Sequence, residues 1–176
     1  MALNLMLLFS FQTRVGALYS QLGLLSALFM MGLTLGGAWA SLGRVPLCIA
    51  LAVSLSCTVC VTLAFVILER TDPPLAVSAF LHGLLLVFAG AATGGLFPAA
   101  VHEYCRSGLD TRHSASLVQS ADHSGAALAA LLVSVLFVST LGLVGLGILV
   151  CGFQSLALIG LCVGSGRSVS LSKASQ

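Results

Sequence analysis

Charge is what this sequence has least of. Seven Lys or Arg and five Asp or Glu make up 7% of its 176 residues. A soluble domain is about one quarter charged, so a water-facing surface of this size is excluded. The net charge of +2 gives no basic face for nucleic acid. Residues 1–10 have no basic stretch and no small-residue cleavage site after them, so no cleavable signal peptide is expected. A phosphate-binding Walker loop, a dinucleotide fingerprint, HExxH and a nucleophile elbow are all missing. Catalysis is therefore not expected.

What the sequence has is apolar length. Hydrophobic residues make up 59% and the mean hydropathy is +1.12. About twenty apolar residues in a helix cross roughly 30 Å of hydrocarbon. Six apolar spans are readable, near residues 3–18, 22–42, 45–68, 75–101, 117–141 and 143–163. The expectation is an all-α polytopic membrane protein with six transmembrane helices in residues 1–164. A serine-rich flexible tail, 165–176, follows. The breaks are Gly43-Arg44, the charged Glu69-Arg70-Thr71-Asp72-Pro73-Pro74, the polar stretch 102–116, and Gly142.

Loop charge sets the orientation. Six crossings place both termini and the second and fourth loops on one side, with Arg44, Arg106, Arg112, Arg167 and Lys173. The other side holds Arg70 beside Glu69 and Asp72. Both termini are expected in the cytoplasm. Tyr19, Trp39 and Tyr104 fall near span ends, where amphipathic rings favour the headgroup layer.

Small residues four apart let helix backbones approach closely. Gly32 and Gly36, Gly90 and Gly94, Gly125 and Ala129, and Gly160 and Gly164 have that spacing, so a packed bundle is expected. Pro98 should kink the fourth span, because proline removes a backbone donor and crowds the preceding turn. The six cysteines, including the CxxC pair Cys57 and Cys60, read as small apolar packing residues.

Ionisable groups within spans are functional candidates. They are Arg14 in the first span, His82 in the fourth, and Asp122 and His123 in the fifth; Gln12 adds hydrogen-bonding capacity. Arg14 lies near one end of its span; the favoured reading is that it snorkels toward Tyr19, with a buried partner or a substrate or quinone contact as the alternatives. Asp122 lies about five residues into its span. A helix starting near Ser116 would favour its charge through the dipole, and a proton or substrate path and a partner subunit remain open roles. His82 and His123 sit at mismatched depths for a bis-histidine haem. His102, His113, Glu103 and Asp110 lack regular ligand spacing, so no metal site is expected.

Three segments carry a family resemblance. FQTRVGALYSQLGLLSALFMMGLTLGG (11–37), GGLFPAA (94–100) and SADHSGAALAALLVSVLFVSTLGL (120–143) resemble, in that order, the membrane part of spermidine-synthase-like integral membrane proteins. The resemblance puts Asp122, Gly125 and Ala126 on family positions. It implies half of a major-facilitator-like bundle, often joined in that family to a soluble aminopropyltransferase domain. These 176 residues hold no segment of that domain, so its activity is not expected here. Arg14 and His123 depart from the pattern, which has apolar residues there.

The resulting expectation is a non-enzymatic membrane subunit that anchors or completes a multi-subunit complex. A respiratory or electron-transfer assembly of a bacterial inner membrane is the favoured setting, with cytochrome or iron–sulfur neighbours. No cofactor is expected on this chain alone; a lipid or quinone contact is allowed. The alternative is a half-transporter that homodimerises around a polar path to move a small solute.

Overall fold

Away from water a chain must satisfy its own backbone, and a helix does so within a single segment. The computed structural model describes the backbone of residues 2–16, 19–43, 45–71, 73–106 and 108–174. It describes side-chain surroundings as far as Leu161, apart from those of Val15, Tyr19, Ser20 and Phe137. All regular structure in these residues is helical. The elements are α1 (Ala2–Val15), α2 (Tyr19–Gly43), α3 (Leu47–Thr71), α4 (Leu75–Gly94), α5 (Leu96–Arg106), α6 (Thr111–Leu132) and α7 (Val138–Ala174). A π-helical turn, Val133–Phe137, joins the last two.

Four stretches are long and apolar enough to cross a membrane: Gln21–Gly43, Leu47–Thr71, Leu75–Arg106 and Val138–Leu161. The other two spans read from sequence fall short for different reasons. α1 has 14 residues, about 21 Å at 1.5 Å per residue. α6 starts at Thr111 rather than near Ser116, so it opens on a largely polar run, Thr111–Ser116. That start also removes the dipole argument for Asp122, which lies well past the first turn. Arg44 and Asp72 lie outside the described residues.

The short α1 is the centre of the packing. Leu3, Met6, Leu7 and Phe11 are buried on one face and meet Leu25 and Phe29 of α2, Val61 and Phe65 of α3, Leu86 of α4 and Leu146 of α7. The spacing of three and four residues puts those α1 side chains on a single stripe.

The closest helix pair is α2 with α4. A Cβ at Gly32 would strike the Val87 carbonyl, and one at Gly36 the Ala91 carbonyl. Gly90 and Gly94 face the backbones of Phe29 and Leu33 in the same way. Only hydrogen fits at these four positions.

Gly125 and Gly160, read from sequence as packing positions, behave differently. A Cβ at either meets nothing within 4 Å. Gly164 lies outside the described side-chain surroundings. Gly147, not singled out from sequence, abuts Thr62. It sits where α7 packs on a buried polar stripe of α3, Ser54, Thr58 and Thr62. Those hydroxyls lie four residues apart. Thr58 and Thr62 each donate to the carbonyl four residues earlier, and Gln154 of α7 donates to Ser54 at 3.1 Å.

The break between α4 and α5 falls at Gly95, three residues before Pro98. Proline cannot donate to the Gly94 carbonyl, and its ring crowds that group. Gly142 adopts φ 66° and ψ 178°, a backbone state open essentially to glycine. It separates the first turn of α7 from the rest.

The outer surface is apolar. Met31, Leu35 and Trp39 of α2, Leu63 and Ile67 of α3, Phe80 and Phe88 of α4, and Phe153 and Leu156 of α7 all point outward. In water such a surface would be a liability; hydrocarbon is its natural surrounding.

Candidate functional site

Two groups of polar side chains stand out from this apolar background. The first lies where the C-terminal ends of α1 and α3 meet the N-terminal half of α4. Alternating helix directions bring these ends to one side of the bundle.

Arg14, on the last turn of α1, does not simply extend outward as the sequence suggests. Its Nε donates to Glu69 Oε1 at 3.2 Å, and Nη2 donates to the Glu69 backbone carbonyl at 3.0 Å. Glu69 belongs to the last turn of α3, not to the loop assigned from its neighbouring charges and prolines. The pair is partly covered: the side chains are 18% and 39% exposed.

Behind it, Ser10 Oγ lies 3.3 Å from the same carboxylate oxygen and 3.2 Å from His82 Nε2. His82 is fully buried. Its Nδ1 lies 2.8 Å from the Ser78 carbonyl, and Phe11 meets its ring edge to face at 5.7 Å. A polar chain therefore runs from Arg14 through Glu69 and Ser10 to His82.

The hydrogens of this chain are constrained. A carbonyl only accepts, so Nδ1 must donate to Ser78. Ser10 has one hydrogen and two acceptors to choose from. With a neutral ring, the hydroxyl donates to Nε2. With a charged ring, Nε2–H donates to Ser10 and the hydroxyl turns to Glu69. One hydroxyl rotation thus couples the charge on His82 to the Glu69 carboxylate.

The second group is on α6. Asp122 and His123 are adjacent, with Oδ2 and Nδ1 3.9 Å apart, and their side chains are 70% and 73% exposed. Asp122 borders two adjoining cavities of about 350 and 510 Å³, together with Leu33 of α2 and Thr93 of α4. Leu33 lies ten residues before the end of α2, or about 15 Å along the helix. Asp122 therefore borders the same open space as the middle of α2. It lies on a different element from the Arg14 chain and does not join it.

The remaining candidates are quickly placed. Gln12 is exposed on α1. His123 and His82 are on different elements in different surroundings. Cys57 Sγ donates weakly to the Phe88 carbonyl at 3.5 Å, and Cys60 is exposed. Among the described residues, no cluster of His, Cys, Asp or Glu has the geometry of a metal site. A further apolar groove of about 490 Å³ opens between α2 and α4, bordered by Phe11, Gln21, Leu28, Phe80 and Gly83.

Sequence reasoning missed Glu69 and Ser10. The available signal was topological: Arg14 and Glu69 each close an odd-numbered span, and such ends share a side.

These features define an all-helical protein with four helices suited to a membrane and ionisable groups at bundle depth. Comparison with family models, curated proteins and solved structures finds no match to this chain.

Proposed function

We propose that the chain is a non-enzymatic integral membrane subunit that anchors or completes a multi-subunit membrane complex. One observation carries this reading: Asp122 and His123 are 70% and 73% exposed and border an open cleft beside the middle of α2 in an apolar bundle. A charged side chain at the centre of a bilayer helix costs roughly 2.5–3.5 kcal/mol. A neighbouring protein surface over α6 removes that cost.

The wider setting belongs to the same proposal. The chain crosses the membrane six times, with α1 and α6 completing the four long helices. Both termini lie in the cytoplasm of a bacterium whose inner membrane holds the complex; the loop arginines support that orientation. The three segments resembling spermidine-synthase-like membrane proteins support a half major-facilitator-like bundle. The complex is respiratory or electron-transferring, with cytochrome or iron–sulfur subunits as neighbours. The groove between α2 and α4 offers an apolar seat for a lipid or quinone tail.

Purification in mild detergent from native membranes tests the reading. Stoichiometric foreign subunits are expected. A lone monomer would sink it. A clean homodimer that takes up a solute would favour the half-transporter instead. The buried chain from Glu69 to His82 supports that second reading, because such chains can relay protons.

A further inference from the structure

We infer that the cleft between α6 and the α2–α4 pair seats one transmembrane helix of a different chain, carrying a lysine or arginine level with Asp122. This rests on the membrane-subunit reading and names the chemistry of the partner.

The cleft is a continuous feature. Its two cavities share Leu33, Thr93, Ala121 and Asp122. Its walls are otherwise largely apolar, and it runs lengthwise between helices, as a groove for a helix must. Asp122 is a carboxylate in this apolar setting, and its charge neighbour among the described residues is His123 at 3.9 Å, beyond hydrogen-bond reach. The complement to such a group in a low-dielectric groove is a fixed cation.

The α6 wall is also shaped for close approach. Ala121, Gly125 and Ala129 lie four apart along it, and all three border the larger cavity. Elsewhere in this molecule, Gly32 and Gly36 present such a strip and the backbone of α4 fills it. At Gly125 the equivalent space is open.

Among the cations whose side-chain surroundings are described, none offers itself to Asp122 of a second copy. Arg14 is engaged with Glu69. Arg70 and Arg106 lie in the last turns of α3 and α5, and Arg112 lies in the first turn of α6. These positions are at helix ends, whereas Asp122 lies beside the middle of α2. Their placement at helix ends favours a foreign occupant.

The test uses the full chain in phosphatidylcholine vesicles, with a benzophenone amino acid replacing Met30, a large exposed side chain that borders the cleft. Three synthetic transmembrane peptides of leucine and alanine are added, identical except for a central Lys, Leu or Glu. Photocross-linking to the Lys peptide is expected to exceed that to the Leu peptide at least fivefold, with the Glu peptide lowest. Asp122→Asn should erase the preference while leaving the chromatographic profile of the chain unchanged.

Equal yields for the three peptides, or a lysine preference that survives Asp122→Asn, would overturn the inference. So would cross-links between copies of the chain in place of peptide. Foreign subunits purified from native membranes, combined with indifference to lysine here, would leave the subunit reading standing and remove this one alone.

Discussion

Arg14 and Glu69 are 55 residues apart in sequence, yet Nε of the one stands 3.2 Å from Oε1 of the other. The contact ties the end of the central helix α1 to the end of α3. It also holds the carboxylate that Ser10 links to His82.

A double-mutant cycle measures this tie. Arg14→Leu and Glu69→Gln should show a coupling of about 1 kcal/mol, moderated because Glu69 is 39% exposed and therefore partly screened. Reversible unfolding in bicelles is the readout. Strict additivity of the two changes would mean the pair contributes nothing.

His82 should carry a proton on Nδ1 whatever the state of Nε2, because Nδ1 faces a carbonyl. Nitrogen-15 NMR of labelled histidine reads this directly. Ser10→Ala should leave the Nδ1 proton in place and shift the Nε2 resonance. It should also cost about 1–3 kcal/mol, the usual penalty for an orphaned buried polar atom. A bare Nδ1 in the wild type would show that the assigned tautomer is wrong.

The glycines separate into classes that mutation should resolve. Gly36→Leu drives a side chain into the Ala91 backbone and should destabilise by about 1–3 kcal/mol or more. Gly160→Ala meets open space in a helix and should be neutral or gain up to about 1 kcal/mol. Equal effects on thermal denaturation in detergent would refute the α2–α4 packing.

Gly142→Ala tests the backbone rather than packing, since nothing lies within 4 Å of its position. A cost of about 1–3 kcal/mol is expected from the positive φ alone. A harmless substitution would mean that α7 runs unbroken through this point.

Asp122→Asn in the isolated chain should change stability by less than about 0.5 kcal/mol, because the carboxylate packs against little of its own chain. A loss above 1 kcal/mol, read by the same denaturation, would place Asp122 in an internal contact instead of an open cleft.

Much of this architecture is written locally in the sequence. Apolar runs and their polar interruptions mark the long helices, because hydrocarbon length and backbone self-satisfaction are properties of a segment. The Gly32–Gly36 and Gly90–Gly94 spacings mark strips where a backbone can approach, and Gly142 and Pro98 mark breaks, for equally local reasons. The same rule gives Gly125 and Gly160 identical weight, although neither touches a neighbour, because spacing states what a helix can accept and not what lies opposite. Glu69 was hidden by its company: charges and two prolines beside it read as loop, while the last turn of α3 still held it.

The sequence by itself determined that the chain is helical and made for oil, since twelve charges in 176 residues leave no other surface chemistry. Only the tertiary structure decided which polar residues find each other. Arg14 meets Glu69 and His82 meets Ser10 because three helix ends converge, while Asp122 is left exposed in a cleft because α6 stands apart from α2. Convergence of helices is set by packing across the whole bundle, and no single segment carries that information.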